Sequence, residues 1–117
     1  LPNFADMEMV STDEFGRDRD QWPLFRTAGA EALLEHIGRH LDCCRRRGVD
    51  GFLCFYFHPW EFWPMPQGLI HYGEGAVLPD PFLVKNCGEY AAAEFDRLLA
   101  GLRRLDADFF QAQQIQP

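Results

Sequence analysis

The order of apolar and polar positions divides the chain into distinct stretches. Ala30, Leu33, Leu34, Ile37, Leu41 and Cys44 recur at helical spacing on one face, which predicts an amphipathic helix. Thr27 is placed to cap it, and the cations Arg45, Arg46 and Arg47 suit the negative end of its dipole. Gly48 is placed to stop it, so the helix is expected to run to about Arg47. From Gly51 to Phe57 every residue after the glycine is apolar or aromatic, and Pro59 closes the run. Such a run predicts a strand buried on both faces, as in a parallel sheet. Residues 59–86 hold five of the eight prolines, at 59, 64, 66, 79 and 81, and glycines at 68, 73 and 75. That rules out a single regular element and predicts a long loop, a kind usually kept for function. Asn86 and Glu89 have capping-box spacing, and Ala91, Phe95, Leu98, Leu102 and Leu105 follow in steps of three and four. A second amphipathic helix is therefore expected there, broken by Asp106, with a short final strand over Ala107 to Ala112. Residues 1–23 read as a polar loop, with a short extended piece near Glu8–Val10.

This order of loop, helix, buried strand, long loop, helix and short strand is an α/β layout. A lone buried strand cannot satisfy its own backbone, so further strands are expected elsewhere. The chain also starts at Leu1 rather than Met. Residues 1–117 are therefore read as a single partial domain, a piece of a longer protein.

Composition narrows the function classes. A net charge of −7 and a pI near 4.9 oppose phosphate backbones, so nucleic acid is not expected as a partner. Cys43, Cys44, Cys54 and Cys87 form no disulfide framework and no C-x-x-C pair, which suits reduced thiols in a cytoplasmic setting. No apolar stretch approaches the roughly 20 residues that span a bilayer. Aromatic residues make up 15% of the chain and crowd between Phe52 and Trp63, which suits a core, a sugar-binding surface or both.

His58 is the first candidate for chemistry. It stands at the C-terminal end of the predicted strand, where parallel α/β folds bind ligands, and an imidazole can move protons near neutral pH. The other reading is a structural histidine that caps a strand end. Glu61 sits among Trp60, Phe62 and Trp63 and could bond a sugar hydroxyl, orient His58, or be an exposed loop carboxylate. Trp60 and Trp63 suit stacking on a sugar ring or packing in the core. His36 and His40 are spaced i, i+4 and could hold one metal with Cys43 nearby; they also lie beside the apolar stripe, where solvated polar residues belong. Our site reading holds no metal ligands, with His36 and His40 as the alternative.

Tyr56-Phe57-His58-Pro59-Trp60-Glu61-Phe62 resembles the last motif of the polysaccharide deacetylase (NodB-homology) family, in which a strand ends in an aromatic-x-His-Pro-Trp-Glu variant of a Leu-x-His pattern. Phe95 to Leu105 and Ala107 to Phe110 are similar to the family's closing helix and strand, and Leu1-Pro2 to the tail of an upstream segment. The resemblance implies the C-terminal part of a deformed (β/α) barrel that hydrolyses N- or O-acetyl groups on a polysaccharide or oligosaccharide. It implies His58 as the general acid, with Tyr56, Trp60 and Glu61 in the substrate site. Tyr56 stands where the family often has a Leu, which alters the acetyl pocket. The family's divalent, zinc-type metal is held by an Asp and two His. Those residues would lie upstream of Leu1, so no metal is expected on this chain, and this chain alone is expected to be inactive. The alternative is a small acidic interaction domain, non-enzymatic, whose aromatic loop from Trp60 to Tyr72 binds a partner protein. The sequence leaves the oligomeric state open.

Overall fold

Four α-helices, one 3-10 turn and one β-hairpin make up the residues that the computed structural model describes, namely 10, 14, 21–55 and 57–105. The expected strands near Glu8–Val10 and over 107–112, and the break at Asp106, fall largely or wholly outside them. The fold is mixed helix and sheet, α/β in the coarse sense. Helices α1 (Gln21–Thr27), α2 (Ala30–Arg47) and α4 (Glu89–Leu105) pack on one another around the core.

Helix α1 begins within a stretch that reads as loop from sequence. Pro23 is tolerated in it because the first-turn N–H groups of a helix lack intrahelical partners anyway. Seven residues are too few for an isolated helix. What holds α1 is burial: Leu24, Phe25 and Arg26 are 4%, 0% and 0% exposed.

Helix α2 ends where its arginines and Gly48 predict. Gly48 takes the left-handed conformation (φ 63°, ψ 32°) that a residue with a Cβ resists, and its N–H bonds back to Arg45 O. The start differs from expectation. Thr27 closes α1, and α2 starts at Ala30 after Gly29. The cap comes from another helix: the Glu94 carboxylate of α4 accepts from the Ala30 N–H at 2.7 Å. His36 is not solvated but buried, because it lies three residues after the fully buried Leu33 and shares its face.

Among the described residues of the run 51–57, where a strand is predicted, none is assigned to a strand. Among the described residues the only paired strands are β1 (Ile70–Tyr72) and β2 (Gly75–Val77), an antiparallel hairpin closed by Gly73 and Glu74. Leu53, Phe55 and Phe57 pack against the helical core, at the period of two expected of an extended chain, while Phe52 is about half exposed. The run thus buries one apolar side against the helices.

The long loop is thus subdivided. It holds the 3-10 turn Pro59–Phe62, the hairpin, and a short helix α3 (Pro81–Val84). Asp80 caps α3 by accepting from Phe82 N–H at 2.8 Å. Asn86 does not cap α4. It sits at φ 58° and its side-chain amide donates instead to Arg26 O at 2.9 Å.

Helices α2 and α4 cross closely at Gly101, where a Cβ would lie 2.2 Å from Leu34 Cδ1 and 3.0 Å from Leu34 Cγ. Leu34 is itself buried, so the whole side chain would have to move. Gly101→Ala is expected to cost about 1–3 kcal/mol by overpacking. A urea melt checks this, and an unchanged midpoint would mean that Leu34 moves aside without cost. No helix among the described residues is long and apolar enough to cross a membrane.

Candidate functional site

The residues around His58 are assembled by the 3-10 turn that follows it. Pro59 starts the turn, since its missing N–H and fixed φ suit a first helical position. The Glu61 carboxylate then reaches back, and its Oε1 accepts from the His58 backbone N–H at 2.9 Å. The same oxygen lies 3.2 Å from His58 Nδ1. The spacing of His58 and Glu61 is that of a capping box with histidine in the capping position. That was the local signal from which the pairing could have been read.

Glu61 is fully buried, so it is not an exposed loop carboxylate, and it has no surface to offer a sugar. Of the three sequence readings, orientation of His58 is the one the geometry brings about. Its second oxygen accepts from Arg26 Nε at 2.8 Å, with both side chains at 0% exposure. The backbone of the turn is tied to the start of α4, where Gly88 N–H donates to Glu61 O at 2.8 Å.

Arg26 was missed by sequence reasoning. Its Nη1 donates to Lys85 O at 2.5 Å and its Nη2 to Leu83 O at 2.6 Å, which ties the end of α1 to α3 and the loop after it. The guanidinium carbon lies 5.5 Å from the centroid of the Trp60 ring. Trp60 in turn stacks on the His58 imidazole, with centroids 5.4 Å apart and planes 28° apart. No local pattern marks Arg26, because all these partners are distant in sequence.

The set Arg26, Glu61, His58 and Trp60 forms one connected unit. Its buried end is the ion pair, and its outer end is the imidazole, 38% exposed. With Glu61 acting as a carboxylate acceptor, the ring proton belongs on Nδ1 and the lone pair on Nε2. That arrangement can hold an imidazole in one orientation for proton transfer.

The other sequence candidates fall elsewhere. Tyr56 lies outside the described residues. Trp63 is 72% exposed, so it is not a core residue. His40 Nε2 lies 3.7 Å from the sulfur of Cys44. Among the described residues no three His, Cys, Asp or Glu side chains are grouped to hold a metal ion. None of the four cysteines is in a disulfide. Burial is the main cause that pushes the Cys87 thiol above its ordinary range; the Arg26 charge opposes this and Glu61 adds to it. A thiol held protonated in this way is a poor nucleophile, so Cys87 is not a catalytic candidate.

Compared with protein-family models, with curated proteins and with solved structures, the chain has no significant match.

Proposed function

We propose that this chain is part of a metal-dependent carbohydrate deacetylase, which hydrolyses N- or O-acetyl groups on a polysaccharide, and that it supplies the general acid, His58. The observation that carries this reading is the half-exposed imidazole whose Nδ1 is held 3.2 Å from a buried carboxylate. A histidine that only filled space would not need a dedicated, desolvated carboxylate behind it.

In this reading a water gives one proton to a base carried by the rest of the parent protein and adds to the acetyl carbonyl, and the bond from that carbon to the sugar nitrogen or oxygen breaks. The protonated imidazole gives its Nε2 proton to the departing atom. It is left as the neutral ring with Nδ1–H, the form that Glu61 holds. Trp60 keeps the ring plane fixed by stacking. The metal ligands come from the rest of the parent protein, and the apolar run 51–57 takes its place there as a strand of a deformed (β/α) barrel.

His58→Ala in the full-length parent is expected to cut turnover of an acetylated oligosaccharide at least about tenfold, and by up to the ~10²–10⁴ typical of a general acid, and to leave the unfolding midpoint in place. Unchanged turnover would remove the catalytic role. The second reading, a non-enzymatic interaction domain, draws on the exposed Trp63, Leu69 and Tyr72 of the aromatic loop. It would gain if the His58 variant kept full activity while Trp63→Ser/Tyr72→Ser abolished self-association in sedimentation.

A further inference from the structure

We propose that Arg26 is a positioning residue for His58, acting through Glu61 and Trp60 to keep the imidazole in its Nδ1-protonated tautomer. The proposal rests on the reading of His58 as the proton donor, since the tautomer decides which nitrogen can face a substrate.

The argument starts from the cost of the pair. Arg26 and Glu61 are both at 0% side-chain exposure, and a buried ion pair is a weak source of net stability because both charges lose their water. Apolar side chains of similar volume would fill the same space at least as well. Packing alone therefore does not account for the pair. The network also has a direction. Arg26 is fixed from behind by the Leu83 and Lys85 carbonyls at 2.6 and 2.5 Å, and it faces Glu61 and the Trp60 ring. Both of these contact His58, one along its edge at Nδ1 and one across its face. Arg26 and Glu61 are buried, while the His58 ring is partly open to solvent. A charged anchor that touches both partners of one half-exposed imidazole is built to orient that ring.

Two consequences are specific. With Oε2 claimed by Arg26, Glu61 turns Oε1 toward His58, where it accepts from both the backbone N–H and Nδ1. An acceptor on Nδ1 selects the Nδ1–H tautomer.

The test is a long-range proton–nitrogen correlation spectrum of the chain with its histidine rings labelled in ¹⁵N, recorded where the imidazoles are neutral. His58 is expected as the Nδ1–H form, and a wild-type ring found as Nε2–H overturns the proposal at once. Arg26→Met is expected to move His58 toward Nε2–H, and Arg26→Lys to restore part of the Nδ1–H population. A folded Arg26→Met chain with the wild-type ring signals would reduce Arg26 to a packing element and overturn the proposal. Should Arg26→Met not fold, Glu61→Gln decides. The charged Arg26 then outcompetes the neutral His58 N–H for the one carbonyl oxygen and turns the amide NH₂ toward Nδ1. His58 should switch to Nε2–H, and retention of Nδ1–H would show that Arg26 does not set the ring. None of these spectra needs substrate, metal or turnover. Failure of the deacetylase reading, seen in the His58→Ala parent, is therefore distinguishable from failure of the Arg26 relay.

Discussion

Arg26→Ala is expected to destabilise the chain by about 3–5 kcal/mol, the cost of leaving one member of a buried ion pair without the other. Three losses combine. The Glu61 carboxylate stays at 0% exposure without its cation, the Leu83 and Lys85 carbonyls lose charged donors, and the Trp60 ring loses the guanidinium packed against it. Small domains are stable by only about 5–15 kcal/mol, so a loss of this size is a large share of the total. Urea unfolding followed by far-UV circular dichroism gives the number. A shift below about 1 kcal/mol would mean that Glu61 finds water or another cation in the variant. The double change Arg26→Met/Glu61→Leu is a sharper check. Removing both charges removes the unpaired one, so most of the lost stability is expected to return. His58 would then be folded in place but without its carboxylate, which separates what the pair does for the fold from what it does for the ring.

Phe25→Ala is the second large effect, at about 3–5 kcal/mol. Phe25 is fully buried at the junction of α1 with the run 51–57, the 3-10 turn and α4. Its ring meets Phe57 edge-on at 5.2 Å, Phe62 at 6.2 Å and Phe95 at 6.3 Å. Phe57 and Phe62 flank the His58 turn on either side, and both also contact Phe95, at 4.8 and 5.5 Å. Removing Phe25 therefore opens a cavity beneath the candidate site, and the aromatic rings around it cannot all collapse into the gap. The same urea melt checks the value, and Phe25→Leu is expected to recover more than half of the loss because it refills most of the volume. Equal losses for the Ala and Leu variants would show that ring geometry, and not volume, sets the cost.

How far each feature was legible from sequence follows from the range of the interactions that make it. The apolar faces of α2 and α4 are written at intervals of three and four residues, and Gly48 stops α2 through its own backbone conformation, so pattern reading finds them. The contact between Glu61 and His58 was also within reach of the sequence, as one of three readings of Glu61. His58, Pro59, Trp60 and Glu61 are consecutive, and the spacing that lets Glu61 reach back to His58 is local.

Features that depend on distant partners were decided by the tertiary structure. The start of α2 is capped by Glu94, 64 residues from Ala30, so the nearby Thr27 was a plausible cap that the fold did not use. Helix α1 is too short to stand alone and exists because Leu24, Phe25 and Arg26 are buried by later segments. The apolar run 51–57 carries the composition of a buried strand, but a strand needs a neighbour for its N–H and C=O groups, and among the described residues the run has no strand partner. Its side chains were legible as apolar; its backbone pairing was not. Arg26 is the clearest case. Its ionic partner lies 35 residues away, and a single arginine between Phe25 and Thr27 has no periodicity or spacing to mark it. By itself the sequence determined which residues prefer to be helical and which stretch carries the imidazole. Only the packing of α1 against the 3-10 turn decided that this imidazole has a buried carboxylate and a buried cation behind it, because Coulomb and hydrogen-bond partners are chosen by distance in space and not along the chain.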